Sequence, residues 1–204
     1  MNAPSLKSTY ADWSKAPLPT VKTSSALTSP AVVEESDDFA DPDQLFRQHA
    51  GYVAGVAIRL MGRDVEVDDV VQDVFMAAVR GLGALRDPGA IRAWLTKVAV
   101  RTSTRRLRWR RLRRTFGLDT SHGYDDLPDP SLSAEDRHMV GRIYLLLDGL
   151  IVADRVAWTL RYVDDRSAAE VANLQRCSLA TAKRRIAAAD ARVRHHISVK
   201  EPAR

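Results

Sequence analysis

Between Arg101 and Arg114 the chain carries Arg101, Arg105, Arg106, Arg108, Arg110, Arg111, Arg113 and Arg114 with no acidic residue among them. On a helix this spacing places cations on every side, an arrangement that a buried element does not tolerate and that repels itself unless a polyanion lies near. Trp109 sits inside the block and adds an aromatic surface, so the segment points to nucleic acid. If about six of these arginines meet phosphates, the logarithm of affinity should fall with the logarithm of salt at a slope near −5, at ~0.9 per phosphate. The charge is local: the 204 residues hold 31 Lys+Arg against 26 Asp+Glu for a net of +5, and acids cluster before residue 44 as Glu34, Glu35, Asp37, Asp38, Asp41 and Asp43.

A hydrophobic share of 45% is enough to build a core, and the length suits one or two domains. One cysteine, Cys177, excludes an internal disulfide framework and any zinc-knuckle spacing, which points to a reducing compartment. The first thirty residues lack the apolar run of a signal peptide, and no stretch of about 18 apolar residues occurs. The expectation is a soluble, cytoplasmic protein with no membrane insertion and no cofactor.

Residues 1–40, rich in Ser, Thr and Pro, show no period that could bury a face and are expected to be disordered. Asp41-Pro42 then offers a helix start, Leu45, His49, Val53, Val56, Ala57 and Leu60 recur at helical spacing, and Gly62 is a natural stop. A second stripe runs through Val67, Val70, Val71, Val74, Phe75, Ala78, Val79 and Leu82. A third helix carries Ile91, Trp94, Leu95 and Val98 into the arginine block. Residues 115–135, with Gly117, Gly123, Pro128 and Pro130, break the period and predict a linker. Beyond it come stripes through Val140, Ile143, Tyr144 and Leu147, then Val156, Ala157, Leu160 and Val163, then two short patterns. No alternating apolar run appears. The expected fold is all-α: two small helical domains, 41–114 and 136–197, joined by a flexible linker, with a tail at 198–204.

Ser167-Ala168-Ala169-Glu170 fits a capping box, and Ser178 is placed to cap a following helix whose buried face carries Ala182, Ile186 and Ala189. Two helices joined so tightly cross steeply and push the second one's start outward, where Thr181, Lys183, Arg184 and Arg185 lie. That is helix-turn-helix geometry, suited to the major groove. The plainer alternative is a solvated basic face on a helical hairpin. Cys177 reads as a buried turn residue, and the adjacent His195 and His196 point too far apart on a helix to share a metal.

In the N-terminal half, burying the valines leaves Asp69, Gln72, Asp73 and Met76 along the opposite side of the second helix, with Asp68 beside them. This acidic and amide strip is a candidate protein-docking surface. A calcium loop is excluded, since Asp69 stands where its glycine should be and Phe75 where its last carboxylate should be. No metal set and no catalytic constellation is identifiable, so an enzyme is not expected. Trp94 and Trp109 are candidates for stacking on an unpaired base, with Trp94 favoured as packing.

Asp68-Asp69-Val70-Val71-Gln72-Asp73-Val74-Phe75, then Arg92-Ala93-Trp94-Leu95-Thr96-Lys97-Val98-Ala99 leading into an arginine helix, then a linker and the pattern from Ser167 to Ile186, resemble a sigma-70-family RNA polymerase sigma factor of the small extracytoplasmic-function (ECF) type. The resemblance covers roughly residues 41–197. It implies a non-enzymatic initiation subunit whose strip, Asp68, Asp69, Gln72, Asp73 and Met76, meets core RNA polymerase. It further implies that the loop Gly83–Gly89 and the helix bearing Arg101, Thr104, Arg105, Arg106, Arg108 and Trp109 trap a flipped base and read the promoter minus-ten element. The helix bearing Ser178, Thr181, Lys183, Arg184 and Arg185 would read the minus-thirty-five element, and an anti-sigma factor would be a further partner. Arg101 and Arg105 stand where the family commonly has Asn and Asp, Arg176 where Gly is usual in the turn, and Gln175 at a commonly apolar position. The alternative is a stand-alone helix-turn-helix regulator that binds DNA without polymerase.

Overall fold

The computed structural model of the chain describes residues 42–62, 66–81, 88–118, 124 and 133–200. The N-terminal extension, residues 83–87 of the expected loop and most of the expected linker lie outside them. Seven α-helices make up the described residues, with one short 3-10 turn at Pro88–Ala90: α1 (Pro42–Met61), α2 (Val67–Gly81), α3 (Ile91–Thr115), α4 (Ala134–Asp148), α5 (Val152–Tyr162), α6 (Ala168–Leu174) and α7 (Leu179–Lys200).

Most of the helical periods read from the sequence are buried; Val79, expected in the second stripe, is instead 52% exposed, and Leu82 lies outside the described residues. In α2, Val67, Val70, Val71, Val74, Phe75 and Ala78 all face inward, the three-and-four spacing that makes one stripe. Helix α1 stops at Gly62, whose φ of +70° favours glycine. Space reinforces the choice, because a Cβ there would fall 2.3 Å from the Tyr144 ring. At 25 residues α3 is about 37 Å long. It runs beside α1 from Thr96, whose hydroxyl lies 2.6 Å from that of Tyr52, to Arg110, which donates to the Met61 carbonyl.

The described parts of the two halves are packed together. One apolar cluster joins Leu60, Leu95, Val100 and Leu107 of the first half to Val152, Val156, Leu160, Val171 and Ile186 of the second. A second cluster holds Ile143, Tyr144, Leu147, Trp158, Ala189 and Val193. Tyr124, within the expected linker, is buried in this second cluster and stacks on Tyr144 at 5.4 Å between ring centroids.

Polar contacts line the seam. The buried Arg155 of α5 donates to the Leu60 and Met61 carbonyls at 3.2 and 2.9 Å and pairs with Asp148. These carbonyls end α1, where four lack intrahelical partners, so a guanidinium from the other half caps the helix and meets the negative end of its dipole. Arg114 pairs with Asp148 at 2.7 Å, Arg59 with Asp164 at 2.7 Å, and the Tyr144 hydroxyl donates to the Arg59 carbonyl at 2.7 Å. Burial pushes the Asp148 carboxyl up, but the Arg155 charge and hydrogen bonds from Tyr124 and Arg114 outweigh it and hold it below the usual carboxylate range.

Candidate polymerase and promoter interfaces

Packing of the α2 valines turns Asp68, Asp69, Gln72 and Met76 outward, Met76 at 51% exposure and Asp73 half-buried. The strip expected from the sequence is therefore a continuous surface along one side of α2. Asp68 and Asp69 also lie in the first turn, where the helix dipole favours anions.

This strip does not stand apart from the arginine block. Arg105 donates to Asp73 at 3.1 Å, and Arg106 donates to Asp69 at 3.1 Å and to Asp73 at 3.0 Å. One turn further, Glu66 accepts from Arg110 at 3.0 Å and from Arg113 at 3.1 Å. Glu66, immediately before α2, and Asp69 and Asp73 on it, spaced by three and four, thus form a ladder with the arginines of antiparallel α3. The expectation that no element carrying these cations could be buried needs correction. Arg110 is 3% exposed, because Glu66 and the Met61 carbonyl satisfy it. The countercharge comes from 30 to 50 residues upstream, a separation that a count within the block does not capture.

The expected DNA residues of α3 consequently divide. Arg101 and Arg108 are exposed, as is Trp109 at 61%. Arg105 and Arg106 are engaged with α2, and the Thr104 hydroxyl donates to the Val100 carbonyl at 2.6 Å. Trp94 is half-buried against Gly81, where an added Cβ would meet its ring at 2.9 Å, in line with a packing role.

In the C-terminal half Ser167 and Glu170 make the expected capping box: the Ser167 Oγ accepts from the Glu170 N–H at 3.2 Å, and the Glu170 carboxylate accepts from the Ser167 N–H at 2.8 Å. Those bonds hold the Glu170 carboxyl below the usual range. Arg176 closes the turn at φ +51°, the left-handed conformation in which a side chain is strained by about 1 kcal/mol. Ser178 accepts from the Thr181 N–H at 3.2 Å and so caps α7. Cys177 is half-buried in that turn and packs on the main cluster. Helix α7 itself is longer than the short pattern expected, 22 residues through Lys200.

Lys183 and Arg184 project from the first turns of α7 and are exposed, and Thr181 is half-buried. Arg185 instead donates to the Gln175 side-chain oxygen at 2.6 Å, while the Gln175 amide donates to the Ala153 carbonyl at 2.9 Å. Gln175, out of place at an apolar position, thereby ties α7 to α5. Sequence reasoning missed the seam residues Arg59, Asp148, Arg155 and Asp164. The available signal was Arg155, a charge at an inward position between Val152 and Val156.

The chain is similar to known proteins. The sigma-70 region 2 family model matches residues 45–115. The ECF RNA polymerase sigma factor SigM of Mycobacterium tuberculosis is 31% identical over 152 residues, covering 74% of this chain and 74% of that protein. The chain belongs to the ECF sigma factors of the sigma-70 family. The RNA polymerase sigma-H factor of Pseudomonas aeruginosa is 25% identical over 154 residues, covering 71% of this chain and 79% of that protein. Among solved structures, the sigma factor RpoE in complex with the anti-sigma factor NepR from Bartonella quintana superposes with a TM-score of 0.58 at 21% identity, covering 78% of this chain and 98% of that one. CnrH in complex with the cytosolic domain of CnrY gives 0.52 at 24% identity, covering 78% and 89%. Both share the all-helical fold. As an ECF sigma factor the chain directs promoter-specific transcription initiation rather than acting as a stand-alone regulator.

Proposed function

We propose that this sigma factor divides its work among three surfaces. The strip Asp68, Asp69, Gln72, Asp73 and Met76 docks on core polymerase, and Arg101, Arg108 and Trp109 on the neighbouring helix meet the minus-ten element. Lys183 and Arg184, with Thr181 and the Ser178 cap, meet the minus-thirty-five element from α7. The observation that carries this reading is the exposure of an acidic, amide and methionine strip immediately beside an arginine and tryptophan face. One docked protein surface thus sets the neighbouring helix against DNA. Trp109 offers a face on which an unstacked base gains about 1 to 3 kcal/mol, comparable to the few kcal/mol needed to flip it.

Reading both promoter elements at once requires the halves to part. The elements lie about 25 base pairs apart, roughly 85 Å of duplex at ~3.4 Å per pair. A compact body of about 150 residues has a radius of gyration near 15 Å and spans about 40 Å. The packed form is thus a resting form, and residues 115–135 serve as the tether once the seam opens. The work takes place in the cytoplasm, where polymerase and chromosome meet. An anti-sigma factor, as in the Bartonella quintana complex, is a further partner, and it gains access most simply to the strip and to α7.

The test is co-purification with core polymerase. Gln72→Lys places a cation in the middle of the strip without touching the buried stripe, and it should abolish co-purification while the chain stays folded by circular dichroism. Retention of the variant on core enzyme would refute the docking assignment of the strip.

A further inference from the structure

We infer that the polymerase-docking strip is also a brake on DNA binding, applied through Arg105 and Arg106 and released by docking; the release step rests on the docking assignment above. Asp73 accepts from both arginines and Asp69 from Arg106, all between 3.0 and 3.1 Å. In the free chain these two cations are therefore answered by carboxylates of α2, and phosphates approaching the stretch of α3 from Arg101 to Arg108 meet those two arginines together with two nearby negative charges. The count of available phosphate contacts on this part of α3 falls from four to two.

The resting pairs are of the kind a competitor can displace. Arg105 is 64% exposed, Asp69 62% and Asp73 32%, so water and salt screen them. Arg106 is held by its terminal nitrogens only, and its Nε is buried with no acceptor among the described residues, which leaves the paired state imperfectly satisfied. A docking surface that brings its own donors or cations to Asp69 and Asp73 takes the acceptors away from Arg105 and Arg106. Both guanidiniums then regain their full charge toward DNA on the exposed side of α3. The strip and the DNA face are thus two ends of one ion-pair network. A sigma factor built this way is a poor DNA binder until it is on polymerase.

The test uses the full chain without polymerase and a fluorescein-labelled 20-base-pair duplex, with affinity followed by anisotropy from 0.05 to 0.3 M NaCl. Asp69→Asn/Asp73→Asn keeps shape and removes the acceptors' charge. It should bind at least about tenfold tighter at 0.1 M salt, and its log–log salt slope should steepen by up to about 1.8, two further phosphates at ~0.9 each. Adding Arg105→Gln/Arg106→Gln to that variant should erase the gain. Asp68→Asn removes an equal charge one residue away from the ladder and should give a much smaller gain. An unchanged slope in the double variant, persistence of the gain without the two arginines, or an equal gain from Asp68→Asn would each overturn the brake. The docking assignment fails separately, by retention of Gln72→Lys on core polymerase, an outcome that leaves the free-chain DNA result standing.

Discussion

Arg155→Met is the sharpest perturbation of the seam. The side chain is 3% exposed, and its partners lie in both halves: the Leu60 and Met61 carbonyls that end α1, and Asp148 at the end of α4. Removing one member of a buried pair costs about 3 to 5 kcal/mol, because the remaining charge stays buried without compensation. Here Arg114 still pairs with Asp148 at 2.7 Å and Arg110 still reaches the Met61 carbonyl, so the cost should sit at the lower end, about 3 kcal/mol. Urea unfolding followed by circular dichroism reads this directly. With a denaturant slope of about 2 kcal/mol/M, the midpoint should fall by roughly 1.5 M. Adding Asp148→Leu should recover much of the loss, since replacing both partners by apolar groups removes the stranded carboxylate. The wild-type chain should unfold in one transition, because Val152, Val156 and Leu160 share a cluster with Leu60 and Leu107. A midpoint shift under about 0.4 M for Arg155→Met would refute the reasoning, as would two separated wild-type transitions.

Other consequences can be measured on the same footing. Gly62→Ala combines φ +70° with a Cβ placed 2.3 Å from the fully buried Tyr144 ring, so it should cost at least about 2 kcal/mol in the same urea assay. Arg176→Gly relieves the left-handed strain in the helix-turn-helix and should raise stability by up to about 0.6 kcal/mol, the strain less the extra freedom glycine gives the unfolded chain. The Asp148 carboxyl is held below its ordinary range, so its contribution is present at neutral pH and is lost as pH falls below about 4 through the folded value; Asp148→Asn should flatten that acid limb. His49 is shifted down by burial and by Arg92. Its neutral form therefore belongs to the fold, stability should decline as pH drops below about 6.5, and His49→Gln should remove that decline.

Local rules were legible from the chain. Stripes at three-and-four spacing, the glycine stop at residue 62, the Ser167–Glu170 capping box and the strain at Arg176 each depend on neighbours within a turn or two, so they can be read without the fold. The α2 strip followed from the same logic, because a helix that buries Val67, Val70, Val71 and Val74 has only one side left for Asp69, Gln72 and Met76. Gln175 shows the limit of that logic. Its position was apolar by expectation, yet its amide finds the Ala153 carbonyl 22 residues away and its oxygen finds Arg185, so a polar side chain fills the place through bonds that local sequence does not predict.

Charge is where local reading fails for a physical reason. A run of arginines counted by itself looks like unopposed positive charge, but electrostatic pairing depends on distance in space, and Arg105 and Arg106 meet Asp73 across more than thirty residues. The same holds for Arg155, whose partners in α1 lie about ninety-five residues away. Of the arginines from 101 to 114, Arg110 and Arg114, paired with Glu66 and Asp148, tie the fold together, Arg105 and Arg106 make displaceable pairs with Asp69 and Asp73, and Arg101, Arg108 and Arg111 have no carboxylate partner among the described residues. A slope near −5 for free-chain DNA binding would therefore require the ladder to be open. A value nearer −3, from Arg101, Arg108 and Arg111, the three arginines of the block without a carboxylate partner among the described residues, at ~0.9 each, is what the closed ladder dictates for this block.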